Sequence, residues 1–169
     1  MIFADALHFS RLSEEQLPAS LGEFVGLIAK LRDGLAEPPV AQNTWGDGFY
    51  FVFTDLGNAG RFALQLSDAI GRTDWTRLGL PRELALRIAL HAGPTFVCTD
   101  PITGRPNYMG SHVSRAARIE PITPPGRVYA SEPFAALTTG MGITEFVCEY
   151  VGRQPLAKGY GTFPTYHVV

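Results

Sequence analysis

An α/β sandwich, one β-sheet with helices packed on it, is the fold class this sequence predicts, and three observations predict it. Apolar runs of strand length alternate with amphipathic stretches of helical period along the whole 169 residues. Prolines and glycines mark the boundaries between them. No internal repeat, low-complexity tract or linker breaks the series, so residues 1–169 read as a single domain.

The first strand is "IFADAL", apolar except for Asp5. "HFSRLSEEQLP" passes from a loop into a helix, with Ser10 or Ser13 as its cap and Glu15 in its first turn. Phe24, Val25, Leu27, Ile28 and Leu31 then recur at helical spacing, and Asp33-Gly34 followed by Pro38-Pro39 ends that helix. "VAQNTW" and "GFYFVF" are strands joined by a turn at Gly46-Asp47. Asp55 caps a second helix carrying Phe62, Leu64, Leu66 and Ile70. "ALRIALHAG" and "TFVCTD" are strands, "PITGRPNYMG" a loop or hairpin tip, and "SHVSRAARIE" a helix. "PITPPGRVYASE" leads through prolines into another strand. "EFVCEYV" and "TYHVV", separated by "GRQPLAKGYGTFP", complete the sheet.

The formal net charge of −2 and the lack of any Lys/Arg run argue against nucleic acid and against direct contact with an anionic membrane. No stretch approaches the roughly 18 uninterrupted apolar residues of a membrane span. The start of the chain lacks a basic region and Asp5 interrupts its apolar run, so it does not read as a signal peptide. Cys98 and Cys148 form no CxxC motif and read as buried thiols of a cytoplasmic protein.

Two carboxylates stand out. Asp47 sits at a hairpin tip, where a carboxylate is ordinarily a turn former. Asp5, unpaired among Phe3, Ala4, Ala6 and Leu7, would carry a substantial desolvation cost. If the hairpin lies beside the first strand, the two converge, and a shared divalent cation offsets that cost. Mg²⁺ suits such a site, needing one or two carboxylates, several waters and phosphate oxygens. With Gly46-Asp47 as a two-residue turn, Asn43 pairs with Tyr50, and opposed residues point to one face.

The blocks "FADALHFSRLSE", "WGDGF", "LRIALHAGP" and "GSHVSRAARIEPITPPGRVYAS" stand in the order and spacing of the class III nucleotidyl cyclase catalytic domain, which the chain resembles over nearly its whole length. The resemblance implies a ferredoxin-like sheet with helices packed on it, working as a head-to-tail homodimer with two shared sites. It implies two Mg²⁺ or Mn²⁺ ions per site on Asp5, Asp47 and the Ala6 carbonyl, about 4 Å apart. One lowers the pKa of a ribose 3′-hydroxyl; the other binds the triphosphate and its leaving pyrophosphate. By the same resemblance, amides around His8, Phe9 and Ser10 take terminal phosphates, although His8 stands where the family carries glycine. Arg118 matches the arginine that contacts the transition-state phosphate. Ser114 stands where most members have a ribose-orienting asparagine. Lys158 matches the first lysine of a phosphate-binding "K-G-[KR]-G", whose second basic position is Tyr160 here.

Adenylate cyclases read adenine with a lysine and an aspartate; here those positions are Asn43 and Asn107. The glutamate and cysteine of guanylate cyclases are also missing. An amide is donor and acceptor at once and suits uracil or cytosine. Tyr50, on the same face as Asn43, would fill the space of a purine's second ring. These departures resemble the pyrimidine (uridylate or cytidylate) cyclases of bacterial Pycsar anti-phage defence. That likeness implies conversion of a nucleoside triphosphate, UTP favoured and CTP second, to cyclic UMP or cyclic CMP, a messenger read by a separate effector protein. The alternatives are a purine cyclase with an altered base pocket and a non-catalytic cyclase homology regulator, the latter favoured by Ser114 and the lost second basic residue.

Overall fold

The computed structural model describes residues 1–169. Strand β1 (Ile2–Ala6) pairs antiparallel with β3 (Gly48–Val52) on one side and β4 (Leu86–Leu90) on the other. β2 (Ala41–Thr44) closes one edge. β7 (Arg127–Ser131), β9 (Gly161–Val168) and β8 (Cys148–Leu156) extend the other, giving a seven-stranded sheet in the order β2-β3-β1-β4-β7-β9-β8. β5 (Phe96–Thr99) and β6 (Pro106–Met109) form a separate hairpin. β4 and β7 run parallel, which requires a crossover. Helix α4 (Ser111–Ile119) lies in that connection.

The period-2 alternation of the strands divides the sheet into two unlike faces. Ile2, Ala4, Ala6, Phe49, Phe51, Leu86, Ile88 and Leu90 point into a core of 24 buried residues. Ile28 of α2 (Gly26–Asp33) and Phe62 and Leu66 of α3 (Leu56–Arg72) close that core. The other face carries Phe3, Asp5, Tyr50 and Arg87, and α4 packs there through Ala116 and Ile119. No helix is long and apolar enough to cross a membrane.

Local signals were accurate where the cause is local. The hairpin has the expected register, Asn43 opposite Tyr50 and Thr44 opposite Phe49. Asp55 caps α3, its Oδ1 accepting the Asn58 N–H at 2.6 Å. Ser13, and not Ser10, heads the first helical segment, in a capping box with Gln16. That segment continues through α1 (Leu17–Ala19) and a π-turn over Ser20–Val25 into α2.

Three expectations need correction. Helix α5 (Glu132–Gly140) was missed because its small residues dilute the apolar period, although Ser131 and Pro133 form a helix-start signal. β8 and β9 outrun their apolar runs: β8 passes a bulge at Gly152 and reaches Leu156, leaving Ala157–Tyr160 as the connector. Ladder hydrogen bonds, which leave no trace in hydropathy, hold this exposed hairpin. Cys98 and Cys148 are free thiols but only half buried, one on the β5–β6 arm and the other on an edge strand.

Gly60 of α3 lies against Phe146, where a Cβ would come within 2.2 Å of the ring. Gly60→Ala gains about 1 kcal/mol of helix propensity. Overpacking against a buried ring costs about 1–3 kcal/mol and is expected to win. The urea midpoint should fall with the slope unchanged; an equal or higher midpoint would show that Phe146 moves aside freely.

Candidate active site

The β1–β3 register brings the two aspartates together. Asp5 lies opposite Gly48, so Asp47 is one residue further along the turn. The Ala6 N–H donates to the Asp47 carbonyl at 2.9 Å, and the return bond from Asp47 N–H to the Ala6 carbonyl is not made. Two carboxylates and a free carbonyl are a hard oxygen set that fits Mg²⁺ or Mn²⁺, the remaining positions falling to water or phosphate. No three His, Cys, Asp or Glu side chains gather to enclose an ion.

Asp5 is not unpaired, as the sequence suggested. Arg87, opposite it in β4, places Nη2 2.5 Å from Asp5 Oδ2. Arg87 Nε lies 2.9 Å from Glu120 Oε1. The alignment misses hydrogen-bond geometry, so this second contact is one of charge only between two buried atoms. Burial pushes the Glu120 carboxyl up to about 7; Arg87 opposes that shift, and the charges of Asp5 and Asp47 add to it. Both residues went unnoticed in the sequence, where the signal was a lone arginine inside an apolar strand.

Ser114 and Arg118 stand one turn apart on α4, hence on one helix face. Arg118 makes no ion pair, and none joins Lys158 to the aspartates within the chain. Lys158 is exposed and left-handed (φ 58°) in the β8–β9 connector. Tyr160, in the lost basic position, donates its hydroxyl to the Ser111 carbonyl at 3.3 Å and so docks the connector on the start of α4. His8 adopts φ 64°, a conformation glycine reaches without cost. The amides of Phe9 and Ser10 open a 3₁₀ turn whose first internal bond is Arg11 N–H to the His8 carbonyl, at 3.0 Å.

Tyr50 shares a face with Asn43, but its ring is core. It is 5 % exposed and packs against Phe3 at a centroid distance of 4.6 Å, beside Met1, Val52, Tyr108 and Val113. Its buried hydroxyl has no hydrogen-bond partner, and burial together with Tyr108 pushes its pKa up to about 12. Asn43 is exposed and Asn107 half buried. Each amide oxygen accepts the next backbone N–H, Thr44 at 3.0 Å and Tyr108 at 2.8 Å. An N–H only donates, so these bonds fix which end of each amide is oxygen; Asn107 turns its Nδ2 toward Asp100, helping to hold that carboxyl below its ordinary value, whereas Asn43 Nδ2 makes no bond within the chain. β2 and β6, which carry the two residues, pack together.

A family model described as the adenylate and guanylate cyclase catalytic domain matches residues 1–169. No curated protein matches the chain. Among solved structures, it resembles the guanylate cyclase domain of RhGC from Catenaria anguillulae in complex with GTP, 22 % identical with a TM-score of 0.75, over 99 % of this chain and 93 % of that one. It also resembles the adenylyl cyclase CyaB from P. aeruginosa, 19 % identical with a TM-score of 0.77, over 99 % and 91 %. An adenylate cyclase from Trypanosoma brucei, solved in its monomeric state, is 16 % identical with a TM-score of 0.81, over 99 % and 86 %. At these identities the structural likeness establishes the shared fold.

The Glu120 shift sets the sign of a pH effect. The unfolded chain releases this proton near the ordinary value of 4.5, whereas the folded chain holds it to about 7. Its contribution is full below the lower value and is lost as pH rises through the upper one. In metal-free protein, Glu120→Gln is expected to flatten the fall in melting temperature across that window. Parallel profiles for the two proteins would remove Glu120 as the titrating group.

Proposed function

Since the chain belongs to the adenylate and guanylate cyclase catalytic domain family, we propose that it is a pyrimidine nucleotide cyclase, converting UTP in preference to CTP into the 3′,5′-cyclic nucleotide and pyrophosphate. The observation that carries the base assignment is the hydrogen-bond state of Asn43, Tyr50 and Asn107. Two amides with engaged oxygens offer N–H donors, Asn107 through the hydrogen it does not share with Asp100, and the unpartnered Tyr50 hydroxyl can accept. Uracil presents acceptor, donor and acceptor along O4, N3–H and O2, which is the complement of that set. Cytosine has an amino donor in place of O4 and would set donor against donor. A purine needs the volume beside Tyr50 as well.

Asp5, Asp47 and the Ala6 carbonyl would hold the two Mg²⁺ or Mn²⁺ ions that the family generally uses, which supply Lewis-acid activation of the 3′-hydroxyl and neutralise triphosphate charge. Arg87 holds Asp5 in orientation. Arg118 donates to the α-phosphate oxygens as they gain charge, and Ser114 on the same face hydrogen-bonds the ribose. The Phe9 and Ser10 amides and Lys158 meet the terminal phosphates. The ribose 3′-hydroxyl gives its proton to water and its oxygen bonds to the α-phosphorus as the bond to pyrophosphate breaks.

That neither Arg118 nor Lys158 forms an ion pair with the aspartates supports a head-to-tail homodimer, one protomer offering the metals and its partner the base and phosphate contacts. Phe96, Val97, Ile102 and Met109, exposed on the β5–β6 arm, offer apolar surface for that pairing. The likeness of the base positions to Pycsar cyclases supports a role in anti-phage signalling through a separate effector.

Incubation with each nucleoside triphosphate and Mn²⁺ is expected to yield mainly cyclic UMP, with cyclic CMP second. Dominant cyclic AMP or cyclic GMP would overturn the base assignment, and no turnover at all would make the chain a nucleotide-binding regulator. Asp47→Ala should abolish turnover without lowering the melting temperature. Tyr50→Phe, which keeps the ring in its cluster, is expected to raise the KM for UTP about tenfold, the worth of one hydrogen bond of ~1.4 kcal/mol.

A further inference from the structure

His91 follows β4 and is 0 % exposed, yet both of its ring nitrogens have partners. Nδ1 lies 2.7 Å from Ser131 Oγ, and Nε2 lies 2.9 Å from Nδ1 of His112 on α4. The two imidazoles are nearly parallel, 18° apart with centroids separated by 5.2 Å. Burial, followed by the positive surroundings of His112, Arg115 and the chain's amino terminus, takes the His91 pKa down to about 3. A neutral imidazole has one donor and one acceptor, so both of its bonds are made and none is left over. Ser131 is itself tied down, since its Oγ caps α5 by accepting the Phe134 N–H at 3.4 Å.

This chain of contacts meets α4 at its weakest point. The helix begins after Gly110 (φ 128°) with no side-chain cap. Its far end is anchored by Ile119, buried with Ala89 and Leu156. At the near end the other tethers are the exposed Tyr160 bond and the half-buried Val113, packed beside Tyr50. The fit around His112 is close: a Cβ on Gly93 would lie 2.1 Å from His112 Nδ1.

We infer that Ser131 and His91, both buried, and the half-buried His112 form a relay that holds the start of α4 against the sheet, making His112 a positioning residue for Ser114 and Arg118. The inference rests on the cyclase reading of α4 for its effect on turnover but not for its effect on the helix. Loss of the relay frees the uncapped end, and α4 pivots about Ile119. Ser114 and Arg118 share the face that moves. Transition-state contacts are more sensitive to such displacement than substrate binding.

The test compares wild type with His112→Ala, His112→Asn and Gly93→Ala. Asparagine places a polar atom where the imidazole carries Nδ1; alanine does not. In His112→Ala and Gly93→Ala, kcat is expected to fall about tenfold with KM changed less than about twofold. Hydrogen exchange of the α4 amides should quicken in both, and His112→Asn should restore both readouts. Wild-type kcat in His112→Ala, or unchanged α4 exchange, would overturn the relay. So would an asparagine variant no better than alanine, since that pattern indicates lost packing alone. If wild type turns over no nucleotide, the proposed function fails, and exchange in the alanine and asparagine variants still decides the relay.

Discussion

The register of β1 between β3 and β4 is the constraint on which the rest depends. Asp5 faces Gly48 on one side and Arg87 on the other, and the same pairing sets Asp47 beside Ala6. A slip of one residue would send Asp5 into the helix-packed core and turn Ala4 outward. The apolar alternation of Ile2, Ala4 and Ala6 forbids that slip, because all three sit in the main core. The hydrophobic pattern of a five-residue strand therefore sets the geometry of the carboxylate pair.

Helix α4 is coupled to the same frame by polar contacts at both ends. Arg87 and His91 are four residues apart in extended chain and project from one face, about 13 Å from one to the other. Their partners, His112 and Glu120, are eight residues apart along α4 and its continuation, about 12 Å in helical rise. The lengths match, so the helix lies along β4 with an imidazole contact at one end and an ion contact at the other. Between them Ala116 and Ile119 supply the apolar area. Apolar packing alone tolerates sliding along the helix axis. Buried polar groups do not, because each unmade contact leaves a desolvated atom without a partner. A helix that presents Ser114 and Arg118 needs that kind of registration.

What was legible in the sequence follows from the range of each cause. The hairpin turn, the Asp55 cap and the strand alternation are local, and they were read correctly. Asp5 and Asp47 stand out in the sequence for local reasons too, one carboxylate inside an apolar strand and one at a hairpin tip. Arg87, Glu120, His91 and His112 were not found, because each depends on a partner at least 21 residues away, His112 on His91 being the shortest such link. A lone arginine or histidine in an apolar run shows that a buried counter-group exists without saying where. Helix α5 failed for a different reason: its burial against the sheet supplies what its weak apolar period lacks.

The residues proposed to read the base show what sequence and structure each contribute. Read as sequence, Asn43 and Asn107 are amides that can present either end, and uracil and cytosine are nearly equivalent. Read as structure, each oxygen is taken by its neighbour's N–H, so the same side chains present donors. The distinction comes from the local backbone, since an extended residue brings its own amide oxygen within reach of the next N–H. Tyr50 changes in a parallel way. Its ring is committed to Phe3 and the β6 side of the sheet, so any part it has in selecting a base comes from the hydroxyl and from a wall that cannot retreat. Under the proposed function, discrimination would then rest on that hydroxyl, a buried oxygen with no partner within the chain that a complementary base would supply.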